Sequence, residues 1–480
     1  MDDNKLRIKP HWSYIANLLY PYLTLLIIPV LRAFYLYFSK ESETVSAVVG
    51  AEAVMLFVAT NVAVLKFQRT RVTFGEEKSI HVLKGLFCKI SYKIPKSATK
   101  VIVLETNPIL SVFGACRLKI YTEAGTKRRA DEIIPIRRSD AKRLLESYQI
   151  EGETVQSNTY SSIVMSAALS SATAGVLLAI PIVKVAVSLL GKSIPSLLPE
   201  IHDNQRLYEW FKLAGKFVPL VIALGYVISF AVLLLRNYKF SSVRTRSYIM
   251  LDAGKLPHRT VLLESRSIKA VKTVKAPLML LANKCAVKFS ACGYGRRRGE
   301  IGLLVPCVKP QLANGLIGWL VPHMDFKGNT IKTNKKGVRR CIWLPLIILT
   351  VALVSATVVS AVFPRLKLPV TAVMLPIFLF CGVWLAVRLY IAKHGSVAFS
   401  SEGMWIKYRQ SATVNELKCK RDDIESICIR ETPFDRRHGH CTLKLRLSDK
   451  NRDTATLKYI DKKVIIEQID YRQIALFVLE

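Results

Sequence analysis

Acidic residues are scarce: 35 Asp and Glu stand against 70 Lys and Arg, a formal net charge of +35 over 480 residues. That imbalance excludes an ordinary near-neutral soluble chain and points to an anionic partner, either nucleic acid or a negatively charged membrane surface. Charge of both signs together makes up only 22% of the chain, against 51% hydrophobic residues, which is too apolar for a disordered basic tail. Histidines number eight, and no Ser/His/Asp order stands out among them. Helix-turn-helix, zinc-finger and aromatic RNA-binding strand patterns are missing, so nucleic acid is not the expected partner.

Phosphate-loop and metal signatures also fail. Gly191-Lys192-Ser193 ends like a phosphate-binding loop, but Ala186 stands where its first glycine belongs. Gly293-Tyr294-Gly295 opens a hairpin turn and not a dinucleotide-binding helix. Cys419, Cys428, His438, His440 and Cys441 follow no standard zinc spacing. The expectation is a protein with no catalytic residues, metal or cofactor. All ten cysteines fall in apolar spans or in segments read as cytoplasmic, which argues against a disulfide framework.

Long apolar runs are plentiful, and mean hydropathy is +0.27. Six windows stand out, at residues 13–31, 45–65, 161–183, 217–235, 342–363 and 369–390. Each is long enough to cross ~30 Å of hydrocarbon at ~1.5 Å per helical residue. They pair as three hairpins. The loops inside the pairs and the span edges hold ten of the 70 basic residues, and the other 60 lie in the N-terminal tail and the segments after each pair. The positive-inside rule then places both termini and the large segments in the cytoplasm of a multi-pass plasma-membrane protein. No small-residue cleavage site follows the first window, so it reads as an uncleaved anchor. The segment 191–214 reads as an amphipathic outer loop.

The three large segments repeat one pattern. A proline at 108, 277 and 433 follows alternating strands, and an apolar-Lys-apolar strand starts ten residues later: Leu118-Lys119-Ile120, Val287-Lys288-Phe289 and Leu443-Lys444-Leu445. A basic or polar turn comes next, then further strand and a closing helix, near 139–148, 310–321 and 470–479, with Ser139 and Asp470 as expected N-caps and Pro310 in a first turn. Expected boundaries are a tail and hairpin over 1–65, a strand-rich domain over 66–160, a hairpin over 161–235, a domain over 236–340, a hairpin over 341–390 and a domain over 391–480.

A hydrophobic hairpin followed by this strand-rich unit, with Pro108-Ile109-Leu110 and Phe113-Gly114 as its clearest motif, resembles the bacterial pleckstrin-homology (PH-like) membrane proteins of the YdbT-like group. In the second unit Leu281-Ala282 stands where Phe-Gly is expected, and in the third His438-Gly439 lies further on. The resemblance implies six transmembrane helices in three hairpins plus three small α+β or all-β PH-like barrels, each with a C-terminal helix. It also implies a poorly defined role in cell-envelope stress or antimicrobial tolerance.

Within that frame the expected function is a scaffold or adaptor whose PH-like domains bind anionic inner-leaflet lipid or a partner, a second membrane protein or another copy of the chain. Residues 236–340 carry 22 basic and four acidic residues, a net +18, so binding is expected there. The expected contacts are Lys269, Lys272 and Lys275, then Arg296, Arg297 and Arg298, and then Lys335, Lys336, Arg339 and Arg340. A generic positive-inside bias explains the same residues without a ligand. Glu52 and Asn61 in the second window and Lys184 at the outer end of the third stand out, and they support the alternative of a transporter or lipid-handling path through the hairpins.

Overall fold

The computed structural model describes residues 6–24, 42–75, 79–86, 88–122, 130–148, 151–170, 221, 223–245, 247–255, 257–291, 294, 302–325, 329–333, 338–362, 364, 367–410, 413–448, 454–471 and 477–479. Three successive sets of strands follow the same order. The first is β1 (Leu6–Ile8), helix Ser42–Arg69, β2 (Arg71–Phe74), β3 (Ile80–Lys84), β4 (Ile90–Ile94), β5 (Thr99–Thr106), helix Pro108–Val112, β6 (Ala115–Thr122), β7 (Glu132–Arg137) and the closing helix Arg138–Ser147.

The second set is β8 (Glu153–Gln156), helix Thr159–Leu169, β9 (Ser241–Arg244), β10 (Tyr248–Ala253), β11 (His258–Glu264), β12 (Ile268–Lys275), helix Pro277–Leu281, β13 (Cys285–Ala291), β14 (Leu303–Val308) and helix Pro310–Leu320. The third is β15 (Asn329–Lys332), helices Val338–Val362 and Lys367–His394, β16 (Ser396–Phe399), β17 (Gly403–Gln410), β18 (Thr413–Lys420), β19 (Ile424–Arg430), helix Pro433–Arg436, β20 (His440–Leu447), β21 (Thr454–Asp461), helix Lys462–Tyr471 and β22 (Phe477–Leu479).

Local chemistry explains the pattern. Each proline opens a short helix, where its fixed φ suits the first turn and its missing N–H costs nothing. Six residues beyond each proline the backbone enters the left-handed region, at Gly114 (φ +65°), Asn283 (φ +49°) and Gly439 (φ +66°). Glycine and asparagine tolerate that region and most side chains do not. Asn283 therefore corrects the alignment of Leu281-Ala282 with Phe113-Gly114, and Gly439 sits at the same spacing as Gly114. The strand that follows alternates. In β6, Cys116, Leu118 and Ile120 turn inward while Arg117 and Lys119 take the other face.

Several expectations are corrected. Among the described residues one helix, Val49–Arg69, is long and apolar enough to cross a membrane, whereas Thr159–Leu169, Ala223–Arg236 and Leu346–Val362 are apolar but shorter. Six transmembrane helices, and a multi-pass plasma-membrane placement, are thus not supported. A hydropathy window measures composition, but a span needs roughly 20 consecutive apolar residues in one helix. Among the described residues, helices alternate with several antiparallel sheets. Nor do the strands close three separate barrels. Among the described residues they form four sheets, two of which run on from one repeat into the next: β5 pairs antiparallel with β11, and β12 with β18. At these two junctions the backbone groups of β5 and β11, and of β12 and β18, find partners in the neighbouring repeat, and closure within a repeat is not needed to satisfy them.

Helix boundaries shift as well. The first closing helix is capped at Arg137, not Ser139, and the third spans Lys462–Tyr471, so Asp470 lies at its end. The outer loop 191–214 lies outside the described residues.

The chain divides into two compact units, Met1–Glu153 with Val243–Asp252 and Leu256–Ser267, and Thr154–Ser242 with Ala253–Lys255 and Ile268–Glu480. The division runs through the second repeat because β11 belongs with β5. In the first unit Ile8, Val72, Ile80 and Val82 of one sheet meet Ile102, Leu118, Ile120 and Ile136 of the other, and Ala141 and Leu144 of the closing helix complete the core. Each such fully buried aliphatic contributes ~1.5–3 kcal/mol. In the second unit Val397, Phe399 and Ile406 pack with Ile427, Leu443, Leu445, Leu457 and Ile465.

Candidate functional site

In the first unit the turn before β6 and the start of the closing helix meet. The backbone N–H of Arg138 donates to the carbonyl of Gly114 at 3.0 Å. On one side of that bond lies an apolar tip: Ile109 is 73% exposed and Val112 81%, and Phe113 stacks edge-on against Trp12, itself half exposed, with ring centroids 4.8 Å apart. On the other side is a cavity of about 430 Å³ lined by Leu104, Cys116, Arg138, Ser139, Lys142 and His258, among others. His258 Nε2 lies 3.1 Å from Asp252 Oδ1, which also accepts from the Thr260 hydroxyl at 3.0 Å. The hydrogen bond to Asp252 raises the His258 pKa above its usual 6.5 against the opposing effect of burial. Burial drives the Cys116 thiol up to about 12, so that cysteine lines the cavity as a neutral, inert group.

In the second unit the same corner of the repeat holds a larger and more apolar cavity of about 590 Å³. Pro277, Leu280, Leu281, Val383, Val387 and Tyr390 line it, with Lys275 and Lys284 among its polar groups. Leu281, 87% exposed, is its counterpart to the apolar tip. Pro310 opens the closing helix here, where the first repeat has Arg138.

Of the residues expected from sequence, Lys275 lines this second cavity, and the other described ones fall elsewhere. Lys269, Lys272 and Lys275 lie along β12, where each is engaged by its own unit. Lys269 donates to the Ser448 carbonyl at 3.3 Å, Lys272 to Gln410 Oε1 at 2.6 Å, and Lys275 to Glu416 Oε1 at 3.0 Å. Arg296, Arg297, Arg298, Lys335, Lys336 and Lys184 lie outside the described residues, and Arg339 and Arg340 fall in the first turn of helix Val338–Val362. Glu52 is half-buried in helix Ser42–Arg69 with Oε1 buried and without a hydrogen-bond partner, and Asn61 donates back to the Phe57 carbonyl at 2.9 Å. Among the described residues, Lys269, Lys272 and Lys275 share one strand, and Glu52 and Asn61 share one helix.

The three lysines of the repeated strand differ in environment. Lys119 bonds Glu105, whereas burial, with Arg236 nearby, lowers the Lys288 pKa. Arg138 and Lys142 escape a reading by charge density, which points instead to residues 236–340, and His258 lies in that stretch without being counted among its 22 basic residues. The usable signal is the Phe113-Gly114 turn, whose carbonyl fixes the start of the closing helix.

Comparison with curated proteins finds no match. Residues 15–151, which take in helix Ser42–Arg69, strands β2 to β7 and the closing helix of the first repeat, match the family model described as Bacterial PH domain, so the first repeat carries a bacterial PH domain.

Proposed function

We propose that the chain is a non-enzymatic binding adaptor whose PH domain takes an anionic lipid headgroup. One observation carries this reading: the Arg138–Gly114 hydrogen bond sets a cationic cavity directly beside an exposed apolar tip. Arg138, Lys142 and His258 supply positive charge and N–H donors suited to a phosphate or carboxylate. Ile109, Val112 and Phe113 supply apolar area that water disfavours and acyl chains accept. The net charge of +35 favours the same class of ligand over long range.

Binding of the purified chain to phosphatidylcholine vesicles, with and without phosphatidylglycerol, tests the reading. The anionic lipid is expected to tighten binding. Arg138→Glu with Lys142→Glu is expected to remove roughly 2 kcal/mol of that increment, about thirtyfold, at about 1 kcal/mol per basic residue. Their binding to pure phosphatidylcholine is expected to stay unchanged. An increment that is absent in the wild type, or that survives in the variant, overturns the assignment.

A further inference from the structure

The ends of the four sheets follow the repeat with two exceptions, at β4 and at β19. Strands β1, β8 and β15 end their sheets, and so do β7, β14 and β21. The fourth strands do not agree: β11 is covered by β5 and β18 by β12, but β4 is the last strand of its sheet. Among the described residues its outer edge carries no strand. An uncovered edge presents unpaired N–H and C=O groups and is a template for another strand. Here it also shows Ile90 at 51% exposure.

The opposite irregularity lies at β19. Its equivalents β5 and β12 each take the fourth strand of the next repeat, antiparallel over six residue pairs. At β19 the chain's own β22 occupies that edge, parallel and over three pairs, with Ile427, Cys428 and Ile429 opposite Phe477, Val478 and Leu479. A short parallel strand is a weaker partner than a six-pair antiparallel one.

We infer that chains associate head to tail, β19 of one chain pairing antiparallel with β4 of a second once the first chain's β22 has left that edge. The internal junctions supply the register. Leu263 and Cys419 each lie five residues before the next strand begins, at Ile268 and Ile424, and Ile94 lies five before Thr99. Leu263 faces Val101 and Cys419 faces Ala270, each seven residues before its repeat's proline, at Pro108 and Pro277. The same rule sets Ile94 of one chain opposite Ser426 of the next.

Charge agrees with that register. At the internal junctions Lys100 pairs with Glu264 at 3.2 Å and Lys269 with Asp423 at 3.9 Å, and in both the acid lies at or just past the end of the fourth strand. At β19 the equivalent of these lysines, eight residues before Pro433, is Glu425, and past the end of β4 stands Lys96. Both are exposed. The sign is reversed on each side, so the pair is again complementary, and Lys89 and Lys93 give β4 a basic flank facing it. β22 then acts as a removable cap that keeps single chains from polymerising. Heterologous contacts of this kind do not close on themselves, and such a cap limits their growth.

Light scattering of the purified chain over a concentration series tests this directly. Removing residues 477–480 is expected to tighten self-association at least tenfold. In that shortened chain Lys96→Glu is expected to weaken association at least threefold, and adding Glu425→Lys is expected to restore it. Hydrogen exchange on the intact chain serves as a second measure that needs no variant: amides of residues 90–94 gain protection as concentration rises while those of 477–479 lose it. A mass unchanged by the truncation, association indifferent to Lys96→Glu or not restored by the double change, or amides of 90–94 that exchange equally at all concentrations, each overturns the inference.

Discussion

Arg259 of β11 lies directly opposite Glu105 of β5, with its Nε 3.0 Å from Glu105 Oε1, and this pair sits where strands of two successive repeats become one sheet. Lys119 of the neighbouring strand bonds the same carboxylate. The second shared sheet has the same device: Glu416 of β18 accepts from Lys275 of β12 at 3.0 Å and lies 3.3 Å from Lys407. In each case one acid is held between two cations, one from its own repeat and one from the adjacent repeat. Strand pairing alone does not select register, because every backbone edge offers the same groups. A buried charge that finds its partners in one alignment only does select it.

Glu105→Gln is expected to destabilise the first unit by about 3–5 kcal/mol, the range for breaking a buried ion pair while its partners stay buried. Glu105 and Arg259 side chains are both under a tenth exposed, so solvent does not rescue the orphaned guanidinium. The measurement is denaturant unfolding of the full chain followed by hydrogen exchange at β5 and β11. A loss under about 1 kcal/mol, the scale of an exposed ion pair, would show that the triad carries no structural weight.

Acid should loosen both shared sheets. Burial raises the pKa of Glu105 and of Glu416, but the adjacent cations outweigh it and hold each below the usual 4.5. A depressed carboxylate contributes stability that is fully present above 4.5 and is lost as pH falls through its folded value. Melting temperature should therefore fall below pH about 4.5, and the fall should be shallower in Glu416→Gln, which lacks one of the two groups.

Gly114→Ala should cost about 1–2 kcal/mol through backbone conformation alone, since no atom lies within 4 Å of the added methyl while φ is +65°. Asn283→Gly at the equivalent position should leave stability unchanged or raise it slightly. Because Gly114 also accepts from Arg138, the alanine variant should weaken anionic-vesicle binding along with stability.

Much of this architecture is legible in the chain. The proline-to-strand spacing locates the strand after each proline, because alternation along a strand is a local effect, whereas the short helices that the prolines open are not among the expectations. Closing helices 138–147 and 310–320 fall within a residue or two of their expected places. The third starts earlier than expected, because the single strand Thr454–Asp461 leads straight into Lys462. The shared sheets are not legible: Glu105 and Arg259 are 154 residues apart, and neither carries a local mark of its partner. Likewise Lys269, Lys272 and Lys275 read as an exposed cationic row, since their acceptors Ser448, Gln410 and Glu416 come from strands far along the chain.

Alkylation should distinguish the cysteines sharply. Burial pushes the thiols of Cys116, Cys419 and Cys441 each up to about 12, whereas Cys88 is exposed. The thiolate is the reacting form, so these three should be inert to iodoacetamide near neutral pH while Cys88 is labelled in the folded chain. Peptide mapping after a short pulse measures this, and rapid labelling of Cys419 without denaturant would contradict its placement in the core.

Anion binding should also depend on pH through His258. Its pKa lies above 6.5 because Asp252 favours the protonated ring, so the charge it lends to the cavity is fully present below 6.5 and disappears as pH rises through the folded value. Binding to phosphatidylglycerol vesicles should weaken as pH is raised from about 6 towards 9, across the range where histidine titrates. His258→Gln should flatten that dependence, leaving the contribution of Arg138 and Lys142. Asp252→Asn removes the group that raises the pKa, so the transition should move to lower pH without vanishing. A profile that stays the same in His258→Gln would assign the pH response to the lipid and not to this cavity.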